Sequence, residues 1–293
     1  MARSGVGSTA LGAATCRLIE QYQPERTRLI SDPIVAGLVG GTIRTLMRFP
    51  FLRSYALRRT ESTLKGLYGS QICRTRFLDD SVTAALAGGA KQLVILGAGF
   101  DTRPYRLAGT DRARVVELDL PSVQCVKRKR LEGRLGRIPD NVTLVPFDFN
   151  VQSLGDALAG ARFDSFEPTV FLWEGVTQYI REEAVRRTLE FFGKTVGGST
   201  VLLTYVLKSV VEHRSSMPDA SRMMDIVAKN GAPWIFGLEP LEVPSLLREF
   251  NLQAVADVGD ADYQRMYLEP IGRSLAVSEV ERTVQATVAQ TNR

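Results

Sequence analysis

Hydrophobic positions in the middle of the chain form short continuous runs, and the segments between these runs have apolar residues at helical spacing. Continuous apolar runs that alternate with helices are typical of a parallel sheet covered by helices on both faces. The pattern therefore predicts an α/β fold. Five strands are expected, at residues 92–98, 114–120, 142–149, 169–175 and 199–207.

The segments on either side of this core have different patterns. Residues from about 9 to 87 have apolar positions at helical spacing, and Gly88 and Gly89 are typical of a helix end. We therefore predict a helical cap at 1–88, before a cofactor-binding core at 89–207. An insertion at 208–250 and C-terminal strands at 251–293 follow, with the last strand exposed enough to alternate.

The insertion contains two aromatic residues, Trp234 and Phe236. Either they form part of a lid over a pocket, or they pack inside a helical insertion. The chain has 293 residues, of which 44% are hydrophobic, so it is long enough for one large domain or two small ones. Because no Pro/Gly/Ser-rich linker interrupts it, we predict a single domain at 1–293.

The net charge of +5 is small for a chain of this length and says little about function by itself. The excess is concentrated early, with nine arginines against four acidic residues in positions 1–61, which favours an acidic small-molecule substrate over nucleic acid. The basic run at 127–137 falls on the helix after the second strand, where a solvent-exposed basic face is the ordinary explanation. We expect no nucleic-acid partner.

Cysteine and histidine usage excludes several classes of protein. Cys16, Cys73 and Cys125 lie more than fifty residues apart, a spacing that fits neither a disulfide framework nor a zinc site. No stretch approaches the ~20 apolar residues of a membrane span. We expect a cytoplasmic protein without a metal site or a membrane partner. The only histidine, His213, lies in a polar stretch and no GxSxG motif is present, which argues against a hydrolase.

A glycine turn follows the first predicted strand, where open parallel sheets bind ligands. Gly97 and Gly99 allow a tight turn and a close approach of the backbone to a ligand. A dinucleotide site would have a third glycine where this chain has Thr102. The turn therefore favours a nucleoside ligand without phosphates, of which S-adenosylmethionine is the commonest.

Acidic residues end the next two strands and strengthen this interpretation. A carboxylate at Glu117 or Asp119 can accept hydrogen bonds from both ribose hydroxyls. Asp148 can accept from an adenine amino group while Phe149 packs near the ring. Each acid taken alone could equally cap the end of its strand.

The stretches LGAGFDTRPYRL, ELDLP, FDFN and WEGVTQYI, in this order and spacing, resemble the leucine carboxyl methyltransferase family and its bacterial relatives, including the polyketide O-methyltransferase branch. The similarity covers most of the chain, from TALGAATCRLIE, SDPIVAGL and CRTRFLDD to PWIFGLEP and SLAVSEVE. It implies a class I (Rossmann-like) methyltransferase fold, a seven-stranded sheet with its last strand antiparallel, and S-adenosylmethionine as methyl donor.

The resemblance also implies roles for individual residues. Arg74 would pair with the methionine carboxylate, and Glu174 would lie near the methionine amino group. An arginine suits the first role because it can bind a carboxylate through two parallel hydrogen bonds. The other implied cofactor contacts are the turn Gly97, Ala98 and Gly99, the ribose carboxylate Asp119 with the adjacent Leu120, and the adenine contacts Asp148 and Phe149.

The expected activity is S-adenosylmethionine-dependent O-methylation of a small-molecule carboxylate or hydroxyl. Methylation of a protein C-terminal carboxylate, as in eukaryotic members of the family, is one alternative. Others are a nicotinamide-dependent reductase, a silent cofactor-binding protein and an RNA methyltransferase. A carboxylate acceptor needs no proton removed, whereas an alcohol or catechol would usually call for a base or a metal, and no catalytic residue is assigned. We expect the arginine-rich cap to neutralise an acidic acceptor, with Arg17, Tyr179 and Tyr205 as candidate pocket residues.

Overall fold

The computed structural model describes residues 5–217 and 220–290 and contains a seven-stranded sheet. The strands lie in the order β3-β2-β1-β4-β5-β7-β6, and only β7 is antiparallel to its neighbours. The predicted sheet with an antiparallel last strand is therefore confirmed. The strands are β1 Gln92–Leu96, β2 Arg114–Asp119, β3 Val142–Pro146, β4 Thr169–Trp173, β5 Thr200–Val206, β6 Leu252–Val258 and β7 Glu281–Val288.

Helices precede the sheet and connect its strands. The predicted helical cap is confirmed, and its last helix ends at Ala87, where Gly89 has φ +105°. The α-helices are α1 Gly5–Glu20, α2 Val35–Leu38, α3 Gly41–Leu46, α4 Pro50–Thr63, α5 Leu67–Ala87, α6 Pro121–Leu135, α7 Leu154–Ala159, α8 Glu182–Gly193, α9 Lys208–Val211, α10 Ala220–Lys229, α11 Val243–Glu249 and α12 Asp260–Tyr263. Single turns of 3-10 helix at Arg103–Tyr105 and Thr177–Tyr179 follow β1 and β4.

The central strands are buried on both faces, as their continuous apolar pattern predicts. All five residues of β1 are buried. Leu93 and Ile95 pack in the core formed with α1, α2 and α5, whereas Val94 and Leu96 pack in the core formed with α7, α8 and α11. Because side chains alternate along a strand, each central strand joins two hydrophobic cores.

From Val284 to Val288 the last strand alternates between buried and partly exposed residues, as predicted, but it does not lie at an edge of the sheet. β7 lies between β5 and β6, so both of its edges are paired, and β6 is the outer strand of this side of the sheet. Val284, Ala286 and Val288 of β7 are buried. A strand order that places β7 inside β6 depends on pairing between distant segments, which the alternation of polar and apolar residues does not encode.

Candidate cofactor and acceptor site

One cavity of about 640 Å³ opens at the carboxyl ends of the central strands and is closed by residues of α1, α4, α5 and α10. This volume lies within the range of about 300–1,000 Å³ that is usual for small-molecule sites. Its wall contains all nine residues predicted to bind a cofactor: Arg74, Gly97, Ala98, Gly99, Asp119, Leu120, Asp148, Phe149 and Glu174.

The turn after β1 requires both of its glycines. Gly97 has φ +67° and Gly99 has φ +43°, a region of backbone conformation that favours glycine. A Cβ atom at Gly97 would lie 2.2 Å from Cγ2 of Val176. The turn therefore exposes backbone rather than side chains to the cavity, as a close approach to a ligand demands.

Asp119 connects this turn to the end of β2. Its Oδ2 accepts a hydrogen bond from the Gly99 backbone N–H at 2.5 Å, and its Oδ1 accepts from the Leu120 N–H at 2.6 Å. Burial raises the pKa of the Asp119 carboxyl, and these two hydrogen bonds only partly oppose that effect. Each oxygen keeps a lone pair for a further donor, so the carboxylate fits a pair of ribose hydroxyls.

The second acid of this strand, Glu117, lies outside the cavity wall. It is fully buried, forms an ion pair with the Lys127 ammonium, and accepts a hydrogen bond from the Tyr105 hydroxyl at 3.0 Å. Of the two candidate ribose carboxylates, the structure therefore brings only Asp119 into the site.

Lys127 also corrects the interpretation of the basic run at 127–137. Its ammonium is fully buried, whereas Arg128, Lys129 and Arg137 are exposed. The cause is that Lys127 faces the sheet, where it pairs with Glu117 and donates to the Ala98 carbonyl at 3.3 Å, while Arg130 donates to the Leu38 carbonyl of the cap. The run is therefore only partly a solvent-exposed face.

Asp148 and Phe149 lie at the end of β3. Oδ1 of Asp148 accepts from the backbone N–H of Asn150 at 2.9 Å and from its side-chain amide at 3.0 Å. The Phe149 ring stacks on Trp173, with 5.8 Å between centroids and 21° between planes, and packs edge-on against Phe147 at 4.8 Å. A flat apolar surface beside a fixed carboxylate fits an aromatic base with an amino group.

A buried charge network forms the opposite part of the wall. Arg74 donates from Nε to Glu174 at 2.7 Å and from Nη1 to Glu281 at 2.5 Å. Burial alone would lower the pKa of Arg74, but the carboxylates of Glu281 and Glu174 outweigh it and raise this pKa. Arg74 stays charged, and a group with both a carboxylate and an ammonium fits beside this arginine and these acids.

Arg103 is a site residue that the sequence analysis did not assign. It is 1% exposed and donates to three carboxylates, at 2.7 Å to Asp79, 2.5 Å to Asp101 and 2.7 Å to Glu174. Burial would raise the pKa of Glu174, but Arg103 and then Arg74 hold it at about 2. The available clue was its position directly after Thr102, where a dinucleotide site would have glycine.

The rest of the wall comes from the cap and the insertion and is mainly apolar. Its apolar members include Ile43, Ala56, Leu57, Leu64, Leu67, Met223, Ile226, Val227 and Trp234. Between this part and Glu174 lies the turn Thr177–Tyr179. Oε1 of Gln178 is buried there and accepts no hydrogen bond from any residue within 5–217 and 220–290, while burial raises the pKa of Tyr179.

The substrate-residue predictions have mixed outcomes. Tyr179 lies in the cavity wall, but Tyr205 lies outside it. The Tyr205 side chain is fully buried on the side of β5 that faces α8 and α11, and its hydroxyl donates to Asp257 at 2.8 Å. The prediction for Tyr205 is wrong. Arg17 reaches the wall, yet it donates to Asp32 at 3.1 Å and to the Phe100 carbonyl at 2.5 Å, so it holds α1 against the loop after β1.

The expectation that cap arginines neutralise an acidic acceptor does not fit this geometry. Arg17 and Arg74 line the cavity and both are already paired with carboxylates. The exposed cap arginines lie outside its wall: Arg26, Arg44, Arg48, Arg58 and Arg59.

The two aromatic residues of the insertion were expected either to cover a pocket or to pack in the core, and the structure shows one in each place. Trp234 lines the cavity, whereas Phe236 packs in the core beside β5. His213 is exposed, with φ +55°, after the end of α9.

Across residues 5–217 and 220–290, the structure contains no helix with the length and apolar character needed to cross a membrane. The same residues contain no group of three or more His, Cys, Asp or Glu side chains that could hold a metal ion. Cys16, Cys73 and Cys125 are free thiols.

The strand order, the glycine turn after β1 and the acids that follow β2, β3 and β4 define a class I S-adenosylmethionine-dependent methyltransferase. The model of the leucine carboxyl methyltransferase family matches residues 10–193. The chain belongs to this family, as its motifs predicted, and the methyl donor is S-adenosylmethionine. The alternative of a nicotinamide-dependent reductase is thereby excluded.

Relatives with similar sequences support this assignment. A protein of Frankia alni is 30% identical over 247 residues, which cover 80% of this chain and 82% of that protein. One of Mycolicibacterium gilvum is 30% identical over 299 residues and covers 94% of both chains. Both are named as S-adenosyl-L-methionine-dependent methyltransferases.

Solved structures show the same fold at lower identity. A methyltransferase from Thermobifida fusca has a TM-score of 0.56 at 16% identity, covering 87% of this chain and 93% of that chain. A DUF574 family protein from Streptomyces avermitilis has a TM-score of 0.55 at 16% identity, covering 82% of this chain and 91% of that chain.

Proposed function

We propose that this methyltransferase transfers the methyl group to an oxygen atom of a small, largely apolar molecule, and that this oxygen belongs to a hydroxyl rather than a carboxylate. The observation that carries the proposal is the composition of the wall beyond Glu174. That part is mainly apolar, with Thr60, Gln71 and Asn230 among its few polar members, and the two arginines of the cavity are already paired with carboxylates. The proposal thus selects one of the two acceptor oxygens that the sequence left open.

The cofactor is proposed to lie along the carboxyl ends of β1 to β4. Asp119 accepts hydrogen bonds from the ribose hydroxyls, and Asp148 and Phe149 contact the adenine. Arg74 and Glu174 bind the carboxylate and the ammonium of the methionine end, with Arg103 orienting Glu174. When bound, S-adenosylmethionine supplies an electrophilic methyl carbon on a sulfonium.

Charge in the wall favours a neutral acceptor. Five carboxylates and two arginines line the cavity: Asp101, Asp119, Asp148, Glu174 and Glu281, with Arg17 and Arg74. Arg74 is assigned to the methionine carboxylate and Arg17 is paired with Asp32, so neither arginine of the wall is left to bind an anionic acceptor. A buried carboxylate without a cation is strongly unfavourable, whereas a hydroxyl needs only a hydrogen-bond partner.

Gln178 supplies such a partner. Its side chain is 4% exposed, and its Oε1 has no partner in the described chain, at the point where the apolar wall meets Glu174. An unsatisfied buried acceptor costs about 1–3 kcal/mol, so a hydroxyl donor on the substrate would recover this free energy. Because this Oε1 has almost no accessible surface, a substrate hydroxyl would reach it only after the amide turns towards the cavity, and we propose that Gln178 then orients the hydroxyl oxygen.

Unlike a carboxylate, a hydroxyl must lose a proton, and a phenolic hydroxyl, with an ordinary pKa of about 10, is the kind that loses it most readily without a dedicated base. The residues around Glu174 and the turn Thr177–Tyr179 would hold the hydroxyl next to the methyl group that the bound cofactor supplies, and the hydroxyl proton would leave to water at the opening of the cavity. Alignment and exclusion of solvent can supply about 7–11 kcal/mol of the barrier. Tyr179, whose pKa is raised by burial, remains protonated and can only donate or accept a hydrogen bond.

The test is methyl transfer from labelled S-adenosylmethionine to matched pairs of aromatic molecules that carry either a hydroxyl or a carboxylate on the same apolar skeleton, such as 1-naphthol and 1-naphthoic acid. We expect the hydroxyl member to be methylated. Gln178→Leu should raise its KM by about tenfold, the value of one buried hydrogen bond. Gln253→Leu, at an exposed glutamine of β6, is the control.

Preferential methylation of the carboxylic acid, or of a peptide ending in leucine, would refute the proposal. Equal KM values for wild type and Gln178→Leu would show that Gln178 does not bind the acceptor hydroxyl.

A further inference from the structure

The surface formed by α3 and α4 has an unusual charge. Residues 41–63, which span both helices, contain five arginines and one acidic residue, Glu61, whose Oε2 accepts a hydrogen bond from the Gly66 backbone N–H. Arg53 is held in place, because it donates to the Met47 carbonyl at 2.8 Å and lies 4.2 Å above the Tyr22 ring. The other four are exposed and form no ion pair with any residue that the structure describes: Arg44, Arg48, Arg58 and Arg59.

Large apolar side chains are exposed on the same two helices. Leu46 is 43% exposed, Phe49 49%, Phe51 66% and Tyr55 61%. The rings of Phe49 and Phe51 are 6.0 Å apart, so they form a small cluster rather than isolated contacts. None of the fourteen residues of α4 is buried. Exposed apolar clusters of this kind mark interaction sites.

An apolar groove runs beside this surface. It has a volume of about 550 Å³ and is lined by Leu46, Leu52 and Tyr55 among others. The groove and the cavity share four wall residues, Ala56, Thr60, Leu64 and Leu67. The exposed surface therefore lies directly outside the wall of the substrate cavity.

We propose that the α3–α4 surface, comprising Arg44, Leu46, Arg48, Phe49, Phe51, Tyr55, Arg58 and Arg59, binds an anionic lipid bilayer. Exposed arginines that form no ion pair with the described residues are complementary to anionic headgroups. Aromatic and aliphatic side chains between them can insert at the headgroup and acyl-chain boundary, as in interfacial helices. Binding of this kind needs no spanning helix, so it revises the expectation that the protein has no membrane partner.

A bilayer explains both properties of this surface. A nucleic acid would use the arginines and could stack on the rings, but it would leave Leu46 and the apolar groove exposed to water. A bilayer buries the apolar side chains while its anionic headgroups reach the arginines around them. The inference stands independently of the acceptor proposed above, since it concerns only the outer face of the cap.

The experiment is sedimentation of the full chain with vesicles of phosphatidylcholine alone or with added phosphatidylglycerol. We expect binding to the anionic vesicles only, weakened by salt. Arg58→Gln with Arg59→Gln should reduce the partition coefficient by at least about tenfold, since each basic residue near a charged surface contributes several-fold. Phe51→Ser with Tyr55→Ser should reduce it by a similar factor.

Matched controls are available elsewhere on the molecule. Phe166 is 81% exposed and precedes β4, at the edge of the sheet opposite the cavity, so Phe166→Ser should bind vesicles like wild type. Arg137, whose side chain is 80% exposed, provides the charge control as Arg137→Gln. Circular dichroism and S-adenosylmethionine binding confirm that each variant is folded.

Absence of binding to anionic vesicles by the wild-type chain would overturn the proposal. So would equal binding to neutral vesicles, or equal losses in the control variants. If the α3–α4 variants instead abolish a dimer in analytical ultracentrifugation, or binding to single-stranded RNA, without changing vesicle binding, the surface serves another partner and the proposal fails.

Discussion

Replacement of Arg103 by methionine should strongly destabilise the protein. The guanidinium is 1% exposed and donates to Asp79, Asp101 and Glu174 at 2.5–2.7 Å. Methionine fills much of the same volume, but it leaves these three buried carboxylates without their common partner. Truncation of one member of a buried ion pair typically costs about 3–5 kcal/mol.

That loss is a large fraction of the total, since domains are usually stable by about 5–15 kcal/mol. Two variants bracket the effect. Arg103→Lys keeps the charge but loses the planar fork that reaches several carboxylates, so we expect an intermediate loss. Lys194→Met removes an exposed pair with Glu190, whose two side chains are 71% and 53% exposed, and should leave stability unchanged.

The assay is urea unfolding followed by far-UV circular dichroism, with the free energy of unfolding obtained by linear extrapolation. Arg103→Met is expected to have a lower unfolding midpoint than Arg103→Lys, which in turn lies below wild type. A loss below about 1 kcal/mol in Arg103→Met, the size expected for a surface pair, would refute the reasoning. The same result would show that the carboxylates find other partners.

Three further predictions concern the same region and the thiols. Burial raises the pKa of Cys73 to about 12, so a thiol reagent at neutral pH should modify the exposed Cys125 first and Cys73 only after unfolding, as mass spectrometry can show. Glu174 has a pKa of about 2 against its ordinary 4.5, so the stability that it contributes above pH 4.5 should be lost as the pH falls towards 2. Gly97→Ala should lower the free energy of unfolding by about 1–3 kcal/mol, because φ at this position is +67° and the new Cβ would meet Val176. The variant should also bind S-adenosylmethionine poorly.

Each of these three predictions has a control variant or a result that would contradict it. Labelling of Cys73 at the rate of Cys125 in the folded protein would contradict the first. Glu174→Gln should show a flatter acid denaturation profile, and an unchanged profile would contradict the second. Gly133→Ala lies in the interior of α6 with no atom within 4 Å of the new Cβ, so it should stabilise the protein by roughly 0.5–1 kcal/mol while Gly97→Ala destabilises it.

The strands and the cofactor wall were predictable because they depend on local sequence. Central strands of a parallel sheet are apolar without interruption, and their carboxyl ends meet at one edge. Gly97, Asp119, Asp148 and Glu174 each follow such a run, so their convergence needed only the order of the strands. Arg74 required the family resemblance, since nothing in its own helix distinguishes it.

Other features depend on long-range packing that no local pattern contains. Tyr205 follows an apolar run like the residues of the wall, but it points into the core beside α8, where Asp257 accepts its hydroxyl. Lys127 is one basic residue among several on α6, and only the fold reveals that it faces Glu117. In both cases a polar side chain is buried because a partner from a distant segment satisfies it.

The most direct test of the central claim is calorimetric titration with S-adenosylmethionine of the wild type and of Asp119→Ala. The account predicts saturable binding by the wild type and at least about tenfold weaker binding by Asp119→Ala, since hydrogen bonds to a charged group contribute about 1.5–3 kcal/mol. Asp140→Ala, at a side chain that is 85% exposed, should bind like wild type. Binding unchanged in Asp119→Ala, no binding at all, or tighter binding of NADPH would contradict the account.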